Sequence, residues 1–230
     1  MKIALCLSGQ PRYLNEGFEQ IYKNILSKHS VDVFAHTWWD DGMGSKKMIL
    51  SDKLSYDRNY IWKKNTIELI KEYYSPIYFL YEPQIFFETY LNVDYELCTP
   101  MNVHSMFYSL QKSNELKKKY ELKNNFIYDA VIRCRFDLSI NKFEIDFYDL
   151  DLNLINCYML NDEFPNDQFA ISSSNNMDIY SNVFDKLKQY KESGWTRFTG
   201  ERLLKYHLEQ NNLKFNNKIQ SKINIDIIKK

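Results

Sequence analysis

YDAVIRCRFDLSI, residues 128–140, is the stretch from which the fold class is read. Ala130, Val131 and Ile132 form an apolar run, and Cys134 and Phe136 continue it. A strand with one wet face alternates, whereas a run like this marks a strand buried on both faces, as in a parallel sheet covered by helices. Into that run the sequence sets Arg133, Arg135 and Asp137. A spacing of two places all three side chains on one face of a continuous strand. Charges in such a place are costly to desolvate unless something pairs with them. Two arrangements meet that demand. One is an internal Arg–Asp ion pair. The other is a strand end that opens on a cleft, where two guanidiniums meet an anionic ligand such as a diphosphate and the carboxylate is left for a metal ion or a sugar hydroxyl.

Working outward, KIALCLS at 2–8 has the same two-sided apolar character and reads as a first, central parallel strand. SGQPR follows at 8–12, then a helix from about Leu14 to Lys28 with Leu14, Phe18, Ile21, Tyr22 and Ile25 at helical spacing. VDVFAHTWW at 31–39 is a second strand, so this unit predicts a right-handed crossover and a parallel pair. Ligands of such sheets sit beyond the carboxyl ends of the strands, where Ser8–Arg12 and His36–Asp41 lie. A turn between strand and helix offers backbone N–H groups to a phosphate, and Arg12 adds a charge-assisted contact. Ser8, Gly9, Gln10 and Arg12 are therefore candidate donor-binding residues, although an ordinary turn with an exposed arginine reads the same. The turn is neither GxGxxG nor a Walker loop, which removes support for dinucleotide binding and P-loop chemistry. His36 is either a hydrogen-bonded core group or part of the same site. Trp38 and Trp39 either stack on a sugar or base or pack in the core.

The rest of the chain alternates strands and helices. Residues 40–58 are polar and irregular and read as a long loop of the kind that forms lids. A helix is expected at 60–74, a strand at 77–82, and a helix from Pro100, capped by Thr99, to the lysines at 117–119. LINCYML at 154–160 and QFAIS at 168–172 flank an acidic loop and predict a hairpin or a mixed edge. Asp167 at the mouth of the second strand is the candidate general base, since a carboxylate in reach of an acceptor hydroxyl is what that role needs. Asp162 in the same loop and Glu201 at the start of the last helix are candidate acceptor contacts. A solvated loop and simple dipole stabilisation are the plainer readings of those two acids. Helices are expected at 175–191 and 200–211, the latter capped by Thr199. Residues 214–230 carry Lys214, Lys218, Lys222, Lys229 and Lys230 against Asp226, with Ile219, Ile223, Ile225, Ile227 and Ile228 among them. This segment reads as a solvated tail, a final strand, or a basic stretch making weak peripheral contact with an anionic membrane.

The chain has 230 residues and no net charge, with 30 basic and 30 acidic side chains, so no global field points to nucleic acid. Six glycines and five prolines exclude a low-complexity chain. Cys6, Cys98, Cys134 and Cys157 form no CxxC pair and read as buried thiols of a reducing compartment. No apolar run approaches the roughly 20 residues that span a bilayer, and a cytoplasmic protein is expected. HExxH, Cys/His clusters and GxSxG elbows are absent, so zinc and serine hydrolases have no support.

KIALCLSGQPR at 2–12, VDVFAHTW at 31–38, YDAVIRCRFDL at 128–138, NDQFAISSS at 166–174 and GERLLKYHLE at 200–209, in this order, resemble a family of bacterial and viral glycosyltransferase-like proteins. That family looks related to lipopolysaccharide and capsule synthesis enzymes of the GT-A type. The resemblance implies an α/β GT-A-like single domain over 1–230. Its mostly parallel central sheet is flanked by helices, with a small mixed or antiparallel portion in the C-terminal half. It implies a nucleotide-sugar-binding half at 1–140 and an acceptor half at 141–230, and a glycan or lipid-linked acceptor. In GT-A enzymes an Asp-x-Asp motif at the end of a mid-chain strand holds a divalent metal, Mn or Mg, on the donor diphosphate. Here Asp137 stands in that motif as metal ligand and catalytic candidate, while Arg135 replaces the first aspartate. Arg133 and Arg135 would then take over part of the metal's charge neutralisation. A sulfotransferase-like enzyme using SGQPR as its phosphate loop and a non-catalytic carbohydrate- or protein-binding module are the alternatives.

Overall fold

The computed structural model describes residues 1–40, 62–96, 98–160 and 163–228. The long loop expected at 40–58 falls almost wholly outside them. The core is a seven-stranded sheet of order β3-β2-β1-β4-β7-β6-β8. Its members are β1 (Ile3–Gly9), β2 (Val31–Trp38), β3 (Tyr78–Glu82), β4 (Ala130–Cys134), β6 (Ile155–Leu160), β7 (Phe164–Ser172) and β8 (Phe215–Asn216). The first four run parallel, β7 runs antiparallel to β4 and to β6, and β8 is parallel to β6. The protein is thus an α/β fold with a mostly parallel central sheet flanked by helices and a smaller antiparallel part toward the C-terminus.

The two-sided apolar runs do what their composition requires. Ile3, Leu5 and Leu7 of β1 and Ile132 and Cys134 of β4 point into one core layer. That layer is closed by α1 (Leu14–Ile21), which continues as a π-helical turn over Tyr22–Leu26, and by α2 (Thr66–Tyr74). Ala4, Cys6 and Val131 point into the opposite layer. It is closed by α3 (Pro100–Asn124), α4 (Ser174–Ser181), α5 (Val183–Glu192) and α6 (Gly200–Gln210).

The elements depart from the sequence reading in several places, and one open alternative, the tail, is decided. The strand read over 128–140 is two strands. β4 ends at Cys134, the chain turns through Phe136 and Asp137, and β5 (Leu138–Phe143) leaves to pair antiparallel with β9 (Ile223–Ile227) in a separate two-stranded sheet. Period-two alternation therefore stops before Asp137. The third helix runs past the lysines to Asn124, because Lys117 is wholly buried and held by Glu121 and Asp178 rather than lying in a last turn. Asn125, in the left-handed region at φ 54°, ends that helix. The helix expected at 175–191 is interrupted at Asn182. The tail is a strand whose isoleucines are used internally: Ile219 and Ile223 are buried, and Ile225 and Ile227 pack on the core.

The turn between β4 and β5 is set against α1. A Cβ added at Gly17 would lie inside the van der Waals radius of the Phe136 carbonyl oxygen, so only glycine lets the helix approach. We expect Gly17→Ala to cost about 2 kcal/mol or more, the upper part of the usual overpacking range. For a chain of this size that lowers Tm by roughly 4–8 °C. Thermal melts of the two proteins check it, and equal Tm values would mean that α1 slides off the turn without loss.

Candidate functional site

Strand order reverses between β1 and β4: the chain leaves β1 toward β2 and β3 on one side and returns to β4 on the other. Open α/β sheets place ligands in the crevice beyond such a switch point. A cleft of about 350 Å³ opens there. Ser8, Gly9, Gln10 and Arg12 line it from the turn after β1, Trp38 from the end of β2, and Arg133 and Arg135 from β4 and its exit. Because β7 is antiparallel, its beginning lies at this same edge, and Asp167 and Gln168 form the facing wall with Gly200 and Glu201 of α6. The N-terminal turns of α3 add Asn102, Ser105 and Met106.

The three arginines behave differently. Asp137 is fully buried, and both its oxygens are taken. Arg12 Nε donates to Oδ2 at 2.8 Å, and Arg135 donates from Nε to Oδ1 and from Nη2 to Oδ2, both at 2.8 Å. Burial alone would raise this carboxyl, but the guanidiniums of Arg135 and Arg12 outweigh it and hold its pKa at about 2. Arg133 makes no ion pair among the described residues, and its buried Nε and Nη1 have no hydrogen-bond partner. Burial pushes its pKa down. The internal ion pair and an unpaired cation on the cleft wall thus coexist: Arg135 serves the first and Arg133 is the second.

The facing wall is acidic. Asp167 is 7% exposed, and a Cβ at Gly200 would overlap its carboxylate, so a glycine there lets that group approach the start of α6. Burial raises the Asp167 pKa, opposed by Arg135 and Arg133. Glu201 is pushed up to about 7, first by repulsion from Asp167 and then by burial. The two carboxyls repel one another in a cleft beside a helix N-terminus, and both hold their protons more tightly than free carboxyls do.

Two sequence candidates do not reach the cleft. His36 is buried, with Nδ1 2.8 Å from Ser109 Oγ and Nε2 3.0 Å from Glu82 Oε1, and so is tied into the interior instead of facing a donor. Asp137 is closed off by its two arginines. Asp162 lies outside the described residues. Trp38 lines the cleft but is stacked on Tyr108, with ring centroids 5.1 Å apart. Gln84, Asn102 and Ser105 were missed. The signal for the last two was a polar stripe, Asn102, Ser105 and Ser109, running beside the apolar one of α3.

The divalent metal implied by the resemblance does not fit at Asp137, which is fully buried and has both oxygens engaged by the guanidiniums of Arg12 and Arg135. Among the described residues no group of three or more His, Cys, Asp or Glu side chains is placed to hold a metal ion. No helix of the described residues is long and apolar enough to cross a membrane.

No family model and no curated protein matches the chain. Among solved structures it is similar to LgtC, in a crystal structure of an active-site mutant, with 12% identity and a TM-score of 0.49, covering 94% of this chain and 73% of that one.

Two outcomes follow from the charges. Asp137→Asn leaves two buried guanidiniums without their counter-charge and should cost about 3–5 kcal/mol at pH 7, seen as a lower denaturant midpoint. The Asp137 carboxyl is depressed from 3.8 to about 2 on folding, so its stabilisation is complete above pH 3.8 and lost as pH falls through 2. Midpoints that match at pH 7 would show the pairing to be worthless. Glu201 has the opposite sign. Its folded pKa is raised from 4.5 to about 7, so its contribution is fully present below pH 4.5 and lost as pH rises through 7. Glu201→Gln should therefore raise Tm at pH 8 and leave it unchanged at pH 4. A gain of equal size at both pH values would point to packing rather than to repulsion from Asp167.

Proposed function

We propose that this chain is a glycosyltransferase that takes a sugar from a nucleoside diphosphate donor and moves it to a hydroxyl of a glycan or lipid-linked acceptor, in surface polysaccharide synthesis. The observation that carries this reading is Arg133, a buried guanidinium on the cleft wall whose Nε and Nη1 have no partner, with Arg12 and Arg135 opening on the same space. A buried unpaired cation is strongly disfavoured, and an anion bound in the cleft removes that cost. Three arginines against one structural carboxylate match the charge of a diphosphate better than that of a neutral sugar.

The chemistry divides between the two walls. As the bond from the anomeric carbon to the donor phosphate breaks, negative charge grows on the leaving diphosphate, and the fixed guanidiniums stabilise it without reorganising. In an inverting displacement the acceptor hydroxyl attacks the anomeric carbon and Asp167 takes its proton. A pKa raised by burial makes that carboxylate a stronger base than a free aspartate. Residues 1–140 supply the guanidiniums of a donor half, and residues 141–230 supply the carboxylates of an acceptor half. Charge neutralisation at Asp137 is carried by arginines, so the mechanism has no metal step there.

Calorimetric binding of uridine and guanosine diphosphates, with the parent nucleosides as controls, tests the reading. One of the diphosphates should bind, and at about 100 times its Kd it should stabilise the protein by about 2.7 kcal/mol. Arg133→Met should bind that diphosphate at least about tenfold more weakly while the nucleoside affinity and Tm are unchanged or Tm rises, because an unpaired buried charge has been removed. Binding of an adenosine bisphosphate instead would favour a sulfotransferase. No nucleotide binding at all would favour a non-catalytic module.

A further inference from the structure

The turn after β1 does not present its first N–H to the cleft. Gly9 N–H donates to Ser109 Oγ of α3 at 2.8 Å. Ser109 Oγ is in turn 2.8 Å from His36 Nδ1, and His36 Nε2 is 3.0 Å from Glu82 Oε1. On its other side the Gly9 carbonyl accepts from Thr37 Oγ1 at 2.8 Å. Both polar groups of the Gly9 backbone are therefore fixed, in a conformation at φ +110° that a side chain would oppose.

The direction of the donors along this chain is determined. Burial holds the His36 pKa down at about 4, so the ring is neutral at pH 7. With Glu82 accepting at Nε2–H, Nδ1 is the bare nitrogen and accepts the Ser109 hydroxyl proton. Ser109 Oγ is then left with its lone pairs for Gly9 N–H. The run reads Gly9 N–H to Ser109 O–H to His36, and His36 N–H to the Glu82 carboxylate, every group satisfied.

This arrangement has a consequence one residue further on. In a trans peptide the C=O and the following N–H point in opposite directions, and the chain contains no cis peptide among the described residues. The Gly9 carbonyl points at Thr37 on β2, so the Gln10 N–H points away from β2, toward the β4 side of the cleft where the arginines stand. Gln10 lines that cleft, and its N–H forms no hydrogen bond among the described residues. Pro11 has no N–H, so Gln10 supplies the one backbone donor between Gly9 and Arg12.

We propose that the Gln10 backbone N–H is a donor to the bound anion, and that His36, acting through Ser109, is the positioning residue that aims it. This deepens the donor-site reading above and rests on it. His36 touches no ligand. Its part is to keep Ser109 Oγ turned as an acceptor, so that the Gly9–Gln10 peptide cannot rotate its N–H out of the cleft.

The test uses the full chain and two probes, inorganic pyrophosphate and whichever nucleoside diphosphate binds the wild type. In amide-resolved NMR the Gln10 N–H of the wild type should move strongly downfield on saturation with pyrophosphate. His36→Leu should weaken diphosphate binding about tenfold with nucleoside affinity unchanged, and the Gln10 shift should shrink. His36→Asn, which keeps an acceptor near the position of Nδ1, should restore most of both. Ser109→Ala should match His36→Leu, and it carries the test if His36→Leu fails to fold. If neither probe binds the wild type, the donor-site reading itself falls. If the probes bind and the Gln10 amide does not respond, or His36→Leu and Ser109→Ala bind as the wild type does, that reading stands and this inference is overturned.

Discussion

The Asp137 carboxylate, held between the guanidiniums of Arg12 and Arg135, is the interaction on which the rest of the site depends. It joins the turn after β1 to the turn after β4 across 125 residues of sequence. Both turns lie at the carboxyl edge of the sheet, where nothing in the strand ladder holds them together. Desolvating three charges is costly, and the arrangement is tolerated because each carboxylate oxygen accepts from a guanidinium in good geometry. The same contact ends β4 early, sends the chain into β5 and sets the Phe136 carbonyl where α1 needs a glycine. Two of the arginines are thereby locked against one carboxylate, which leaves Arg133 as the cation with unspent hydrogen-bonding capacity.

The opposite wall is built by a different device. A single antiparallel strand in a mostly parallel sheet reverses which end of the strand meets the cleft. Asp167 enters from the beginning of β7, and the first turn of α6 brings Glu201 beside it. The positive end of that helix favours a carboxylate, but two of them compete for it, and burial adds to the strain. The site therefore places locked positive charge against loosely held negative charge.

Much of this was legible in the residues. The two-sided apolar runs at Ile3–Leu7, Phe34–Ala35 and Ala130–Ile132 required a helix-covered sheet, and the strand–helix–strand order made it parallel. SGQPR, RCRFD, NDQF and GERLL were each recognisable as polar interruptions at strand ends or helix starts, and the fold brings them to one cleft. What could not be read was anything decided by a partner distant in sequence. The apolar alternation continues smoothly from Cys134 through Phe136, so the end of β4 is invisible without Arg12. The run of lysines at 117–119 looks like a helix end until Asp178 and Glu121 draw Lys117 inward. His36 looked equally suited to core or site, and its role depends on Ser109, 73 residues away. The isoleucines of the tail could have met a membrane or a strand, and β5, itself hidden, was the missing partner.

One lining residue of the cleft, Ile227, comes from β9 at the far end of the chain, while Ser8–Arg12 come from its beginning. During synthesis the parallel core of β1, β2, β3 and β4 can assemble early, since N-terminal segments fold first as they emerge. The cleft cannot. Its wall stays open until β9 has been made and has paired with β5. Until then water can reach the charged floor around Arg133 and solvate it. A nascent chain is thus spared the most unfavourable feature of its own site until β9 closes that wall.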